Sequence, residues 1–88
     1  MTVFKELIIG DKGLTREGEI VTITAINRAR RFPLGYYSNK HKQTIYVTFM
    51  GRYEYYEWLE TPRNSQHDLI RGLKLDHWNK IKEINEER

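Results

Sequence analysis

The run Leu14-Thr15-Arg16-Glu17-Gly18-Glu19-Ile20-Val21-Thr22-Ile23-Thr24-Ala25-Ile26 (LTREGEIVTITAI, residues 14–26) decides the fold class. Between Glu19 and Ile26 stand three Ile, one Val and two Thr, whose β-branched side chains crowd a helical turn but suit a pleated surface. The spacing predicts a strand with Val21, Ile23 and Ala25 on one face and Ile20, Thr22, Thr24 and Ile26 on the other; alternation alone does not choose the buried face. Glu17-Gly18 supplies turn chemistry before it, so Leu14-Thr15-Arg16 folds back on this strand as a hairpin.

Upstream, Val3 to Ile9 (VFKELII) is apolar with two charges and reads as another strand, followed by a turn at Gly10-Asp11-Lys12-Gly13. That turn is no phosphate loop, because the Gly-Lys-Ser/Thr end and a following helix are missing. Downstream, Pro33 fixes its own φ and biases Phe32 towards extended backbone, so residues 27–33 form a loop and Leu34 to Ser38 a short strand. A polar turn at Ser38–Lys42 leads into a strand from Thr44 to Met50. Gly51-Arg52 then matches a two-residue type II′ hairpin loop. In that register Met50 faces Tyr53 and Ile45 faces Trp58. One face carries Ile45, Val47, Phe49, Tyr56 and Trp58 as core, interrupted by Glu54. The other carries Tyr46, Thr48, Met50, Tyr53, Tyr55 and Glu57 as an aromatic platform.

Residues 61–65 read as a loop and His67 to Ile70 as a closing segment that buries Leu69 and Ile70. Asp76 is placed to cap a last helix, residues 76–86, whose stripe of Trp78, Ile81 and Ile84 packs on the rest. The expected architecture is mainly β: a small SH3-like barrel over residues 3–71 with a C-terminal α-helix, in one domain spanning 1–88.

Eighty-eight residues bury only a modest core, which suits a surface-binding module better than an internal catalytic cleft. The chain has no Cys, so disulfides, thiolate metal sites and Cys nucleophiles are excluded together. No apolar run approaches the roughly 20 residues of a membrane span, and charges fall too early for a secretory leader. A complete soluble protein of the cytoplasm, with no membrane partner, is the expectation.

Charge is partitioned along the chain. From Ile20 to Tyr53 there are six bases, Arg28, Arg30, Arg31, Lys40, Lys42 and Arg52, and no carboxylate, while the remainder sums to −3. Such a one-sided block points to a polyanion, each Arg or Lys neutralising a phosphate. Aromatic rings beside it refine the class of ligand. Tyr36, Tyr37, Tyr46, Tyr53 and Tyr55 can stack unpaired bases, which favours single-stranded RNA over duplex DNA. The expected RNA-binding set is therefore those five tyrosines with the six bases. No cofactor is expected. Nuclease chemistry would have to draw on His41, His67, His77 and scattered carboxylates. A metal site from His67, Asp68, Asp76 and His77 follows no ligand spacing, so neither an enzyme nor a metal centre is expected.

Four short runs together, Gly-Leu-Thr-Arg-Glu-Gly-Glu-Ile-Val-Thr-Ile (13–23), Phe-Pro-Leu-Gly-Tyr (32–36), Gly-Arg-Tyr (51–53) and Asp-Leu-Ile (68–70), resemble a pattern of small tailed-phage proteins with SH3-like or KOW-like β-barrels. The resemblance covers roughly residues 10–71. It implies a compact barrel that binds nucleic acid or protein. Within that group the size and basic character are similar to the ToxN inhibitory factors of T-even-type phages. That similarity implies an RNA-associated antagonist of a host toxin–antitoxin defence. A host toxin or another acidic host protein, bound directly and without RNA, is the alternative partner. Exposed β edges on so small a barrel also suit a homodimer.

Overall fold

The computed structural model of the protein describes residues 3–53 and 64–86, with side chains as far as Ile84. Five antiparallel strands, β1 (Lys12–Thr15), β2 (Ile20–Ile26), β3 (Leu34–Ser38), β4 (Gln43–Val47) and β5 (Leu69–Leu73), form one sheet, and helix α1 (Leu75–Glu86) follows. The strand order β4-β3-β2-β1-β5 is a four-strand meander with the fifth strand returned to the first, as in a small SH3-like barrel. The fold is mainly β, as the β-branched run and the turn signals predict. Among the described residues no helix is long and apolar enough to cross a membrane.

Pairing settles which face of β2 is buried. Val21 and Ile23 point into a core with Leu7, Leu34, Tyr36, Ile45, Val47 and Leu69, against which Phe4, Ile26 and Phe49 pack. The register against β3 slips by one residue between Ile23, opposite Tyr36, and Ala25, opposite Gly35. This bulge at Thr24 turns Ala25 outwards and Ile26 inwards, reversing the simple alternation for the end of the strand. Pairing also corrects the closing strand: Leu69 is buried, but its neighbour Ile70 is 47% exposed.

Both hairpin loops share one design. Around Gly18 (φ +95°), the Gly18 N–H donates to Thr15 O and Thr15 N–H to Glu19 O; around Gly51 (φ +81°), Gly51 N–H donates to Thr48 O and Thr48 N–H to Arg52 O. Each is a three-residue loop ending on a left-handed Gly, and each is opened by a Thr whose Oγ1 accepts the N–H four residues on, Glu19 or Arg52. The expected two-residue turn at Gly51-Arg52 is thus corrected. Thr48 rather than Met50 begins the reversal, and Thr48 is buried. Glu54, Tyr55, Tyr56, Glu57 and Trp58, the rest of the expected hairpin, lie outside the described residues.

No strand forms at residues 3–9. Phe4–Glu6 is a single 3-10 turn, held by Glu6 N–H on Val3 O and Leu7 N–H on Phe4 O. The segment adds no strand to the described sheet, where β1 is flanked by β2 and β5, and instead sinks Leu7 into the core.

The helix begins one residue earlier than expected, and Asp76 is not its cap. Asp11, just before β1, accepts the Leu75 N–H on Oδ1 (2.9 Å), and on Oδ2 the Ile8 N–H (2.8 Å) and the Lys74 ammonium (2.7 Å). Of the helix's described side chains none is buried. Trp78 and Ile81 are half-buried and Ile84 is exposed, so the apolar stripe fades along the helix. Burial alone would raise the Asp11 pKa, but Lys74 and the two backbone donors outweigh it and hold the carboxyl below its ordinary 3.8. A depressed folded pKa stabilises above the unfolded value and is lost as pH falls through the folded one. Asp11→Asn is therefore expected to destabilise by about 1–2 kcal/mol at pH 7. The gap from wild type, read from urea midpoints, should close below pH 3.8. An equal gap at pH 6 and pH 3 would sink this account.

Candidate nucleic-acid interface

The basic stretch divides at β3. Its arginines precede the strand and its lysines follow it, so five residues of extended chain, about 17 Å, separate the two groups. At the first end Asn27 organises the loop: its N–H donates to Pro33 O and its Oδ1 accepts Ala29 N–H. Arg28 folds back, donating to Lys5 O (3.2 Å) and lying 5.5 Å from the centroid of the Phe49 ring. Arg30, Arg31 and Phe32 line a shallow cavity of about 410 Å³, whose fourth wall is Tyr46 from β4.

Tyr46 is placed there by register. It pairs with Gly35, itself opposite Ala25, and its ring covers the Gly35 Cα, where a side chain would collide with it. Tyr37, two residues along β3, shares this outer face. It stands opposite Thr44 on one side and Thr22 on the other. Thr22 in turn holds the Lys12 ammonium on its Oγ1 (2.6 Å). Tyr37 and Tyr46 are 42% and 45% exposed. Two open rings, two arginines and a lysine therefore converge on the outer face of β1 to β4.

The other expected site residues go elsewhere. Tyr36 is fully buried, its hydroxyl donating to His67 O (2.8 Å), so it cannot stack on a ligand; this is a correction. Burial first, then the charges of Glu19 and Glu17, push that phenol far above its ordinary range and keep it a donor. Arg52 bonds Asn64 Oδ1 (2.8 Å) and the buried Asp68 (3.4 Å). Arg16 reaches the same Asp68 oxygen (3.2 Å), and Asp68 also accepts the Tyr53 and Ser65 N–H groups. Three runs that carried the phage-protein resemblance, around Arg16, Arg52 and Asp68, thus meet in one polar knot that ties the loops together.

Lys42 is exposed, in left-handed backbone (φ 54°). Lys40 pairs with Glu17 (3.0 Å), and Glu19 accepts the Lys40 N–H and the Ser38 hydroxyl. The same Glu17 meets the His41 ring at 2.6 Å, and His41 packs edge-on against His67, which does the same with Tyr53. Hydrogen bonds from His41 and then Lys40 hold the Glu17 carboxyl below its usual range. Tyr53 therefore sits in a histidine cluster and not on the outer aromatic face, and Tyr55 lies outside the described residues.

Sequence reasoning missed Phe32 and Lys12 as parts of the outer face, and Glu17 as a partner of His41. Strand order was the available signal for the last. In a meander the first and third turns share an end, which brings Glu17 and His41 together. Comparison with known proteins finds no matching family model, no matching curated protein and no matching solved structure.

Proposed function

We propose that this protein binds single-stranded RNA on the outer face of the sheet, with Arg30 and Arg31 taking phosphates and Tyr46, Phe32 and Tyr37 taking unpaired bases. The carrying observation is the cavity in which two arginines and two aromatic rings face one another. Rings supply sequence-tolerant stacking and guanidinium groups supply bidentate phosphate contacts, a pairing that suits a flexible single strand. Lys12 adds charge at the far side of the same face. The proposed role, antagonism of a host toxin–antitoxin defence by a phage-encoded protein, rests on resemblance alone: the four sequence runs point to the phage group, and size and basic character to the toxin antagonists within it.

Anisotropy titrations of labelled single-stranded RNA over a range of salt test the reading. The double variant Arg30→Glu/Arg31→Glu is expected to bind more weakly, on the order of 10- to 100-fold at 0.1 M salt. It should flatten the slope of log K against log salt by about 1.4, two phosphates at about 0.7 each. Tyr46→Ala should lose about 1–3 kcal/mol with the slope unchanged, since stacking releases no counterions. Wild type without salt-sensitive binding, or a double variant that keeps the wild-type affinity and slope, would overturn the reading.

A further inference from the structure

Glu17 from the β1–β2 turn, His41 from the β3–β4 turn and His67 ahead of β5 each bring one metal-ligating atom within 4.8 Å of the others. They are widely spaced in sequence and are assembled only by the fold. A second observation points the same way. His67 Nδ1 is the one buried side-chain nitrogen or oxygen, among the described residues, without a hydrogen-bond partner. A polar atom left so in a packed interior asks for a missing partner, and an ion is one that a protein chain alone does not supply.

The position of His67 is also fixed from outside. Its carbonyl accepts the buried Tyr36 hydroxyl and its N–H donates to Ser65 Oγ, while its ring is clamped between His41 and Tyr53. We infer that Glu17, His41 and His67 form a three-ligand site for a divalent transition metal, Zn²⁺ foremost. Two imidazoles and one carboxylate suit zinc, whereas magnesium and calcium call for all-oxygen shells. Zinc bonds of about 2.0–2.1 Å at tetrahedral angles set donor atoms about 3.4 Å apart. The His41–Glu17 contact of 2.6 Å must therefore open and the widest spacing contract. The proton held between those two groups leaves to solvent as the ion takes its place. Three protein ligands leave a fourth position for water or an anionic ligand. Lys40, on Glu17 Oε2, competes with the ion for the carboxylate.

The test is calorimetric titration of the full chain with zinc chloride, with Co²⁺ absorption as a report of coordination geometry. Wild type is expected to take one ion per chain and to show the intense visible bands of tetrahedral Co²⁺. His41→Ala and His67→Gln should each weaken binding by about 100-fold or more, since even supporting residues of metal sites are worth about 10- to 100-fold. Lys40→Met should bind several-fold tighter, and His77→Ala should match wild type. Circular dichroism of the apo variants checks that each remains folded. Absence of stoichiometric uptake by wild type, or undiminished uptake by a folded His41→Ala/His67→Gln double variant, would overturn the site. RNA binding is read separately, so neither result decides the other.

Discussion

Asp68→Ala is expected to lower the unfolding free energy by about 3–5 kcal/mol. The side chain is 1% exposed and its two oxygens accept from Arg16, Arg52, Tyr53 N–H and Ser65 N–H. Removing it strands two part-buried backbone donors, while the two guanidinium groups, each partly exposed, turn outwards at small cost. Asp68→Asn should recover little, because its amide puts donors where donors already stand. A domain of this length has about 4–13 kcal/mol in total. Both variants should therefore unfold at far lower urea, and Asp68→Ala should melt well below wild type. An unchanged urea midpoint would show that the knot contributes nothing.

Gly51→Ala is the second severe change, and Gly18→Ala is its control. Both glycines hold left-handed backbone in the same kind of loop, so each Ala pays the left-handed penalty of about 1–2 kcal/mol. Around Gly18 an added Cβ meets nothing within 4 Å. At Gly51 it would land on the Leu69 carbonyl oxygen and 2.7 Å from the Phe4 ring. The clash cannot relax cheaply, since Gly51 O accepts the Leu69 N–H (2.7 Å) and the two backbones are already joined. Gly51→Ala is expected to cost about 3–5 kcal/mol in urea unfolding, against about 1–2 for Gly18→Ala. Equal losses would mean that the close approach is unimportant.

What the sequence made legible follows from which interactions are local. Residues 20–26 declare a strand because β-branching acts within each residue, and Glu17-Gly18 declares its turn because only Gly takes the left-handed position freely. The second hairpin was misread by favouring the dipeptide Gly51-Arg52 over the longer pattern Thr-x-x-Gly-x, which Thr15 to Glu19 already displays. The decisive Thr48 Oγ1 bond to Arg52 N–H spans four residues and is invisible to a two-residue rule. In the candidate site, period two separates Tyr36 from Tyr37 but leaves open which one faces water. The neighbours decide it: Ile23 and Ile45 flank Tyr36, and Thr22 and Thr44 flank Tyr37. Charge counting found the basic block yet could not see that β3 divides it, nor that Lys40 and Arg52 already have carboxylates from outside the block. Ion pairs across 23 and 16 residues leave no periodic trace.

The return of β5 to β1 also sets an order of events during synthesis. Strands β1 to β4 zip together through short turns, whereas β5 must close a loop over residues 16–68, more than half of the chain. A growing chain therefore carries β1 with one side unpaired until residue 73 is made. Through that interval the backbone of Lys12 to Thr15 is a bare template for any extended strand nearby, including another nascent copy. Release of a chain truncated inside residues 54–68 would leave the molecule at its stickiest stage, and completion of β5 removes the hazard by covering the exposed edge of β1.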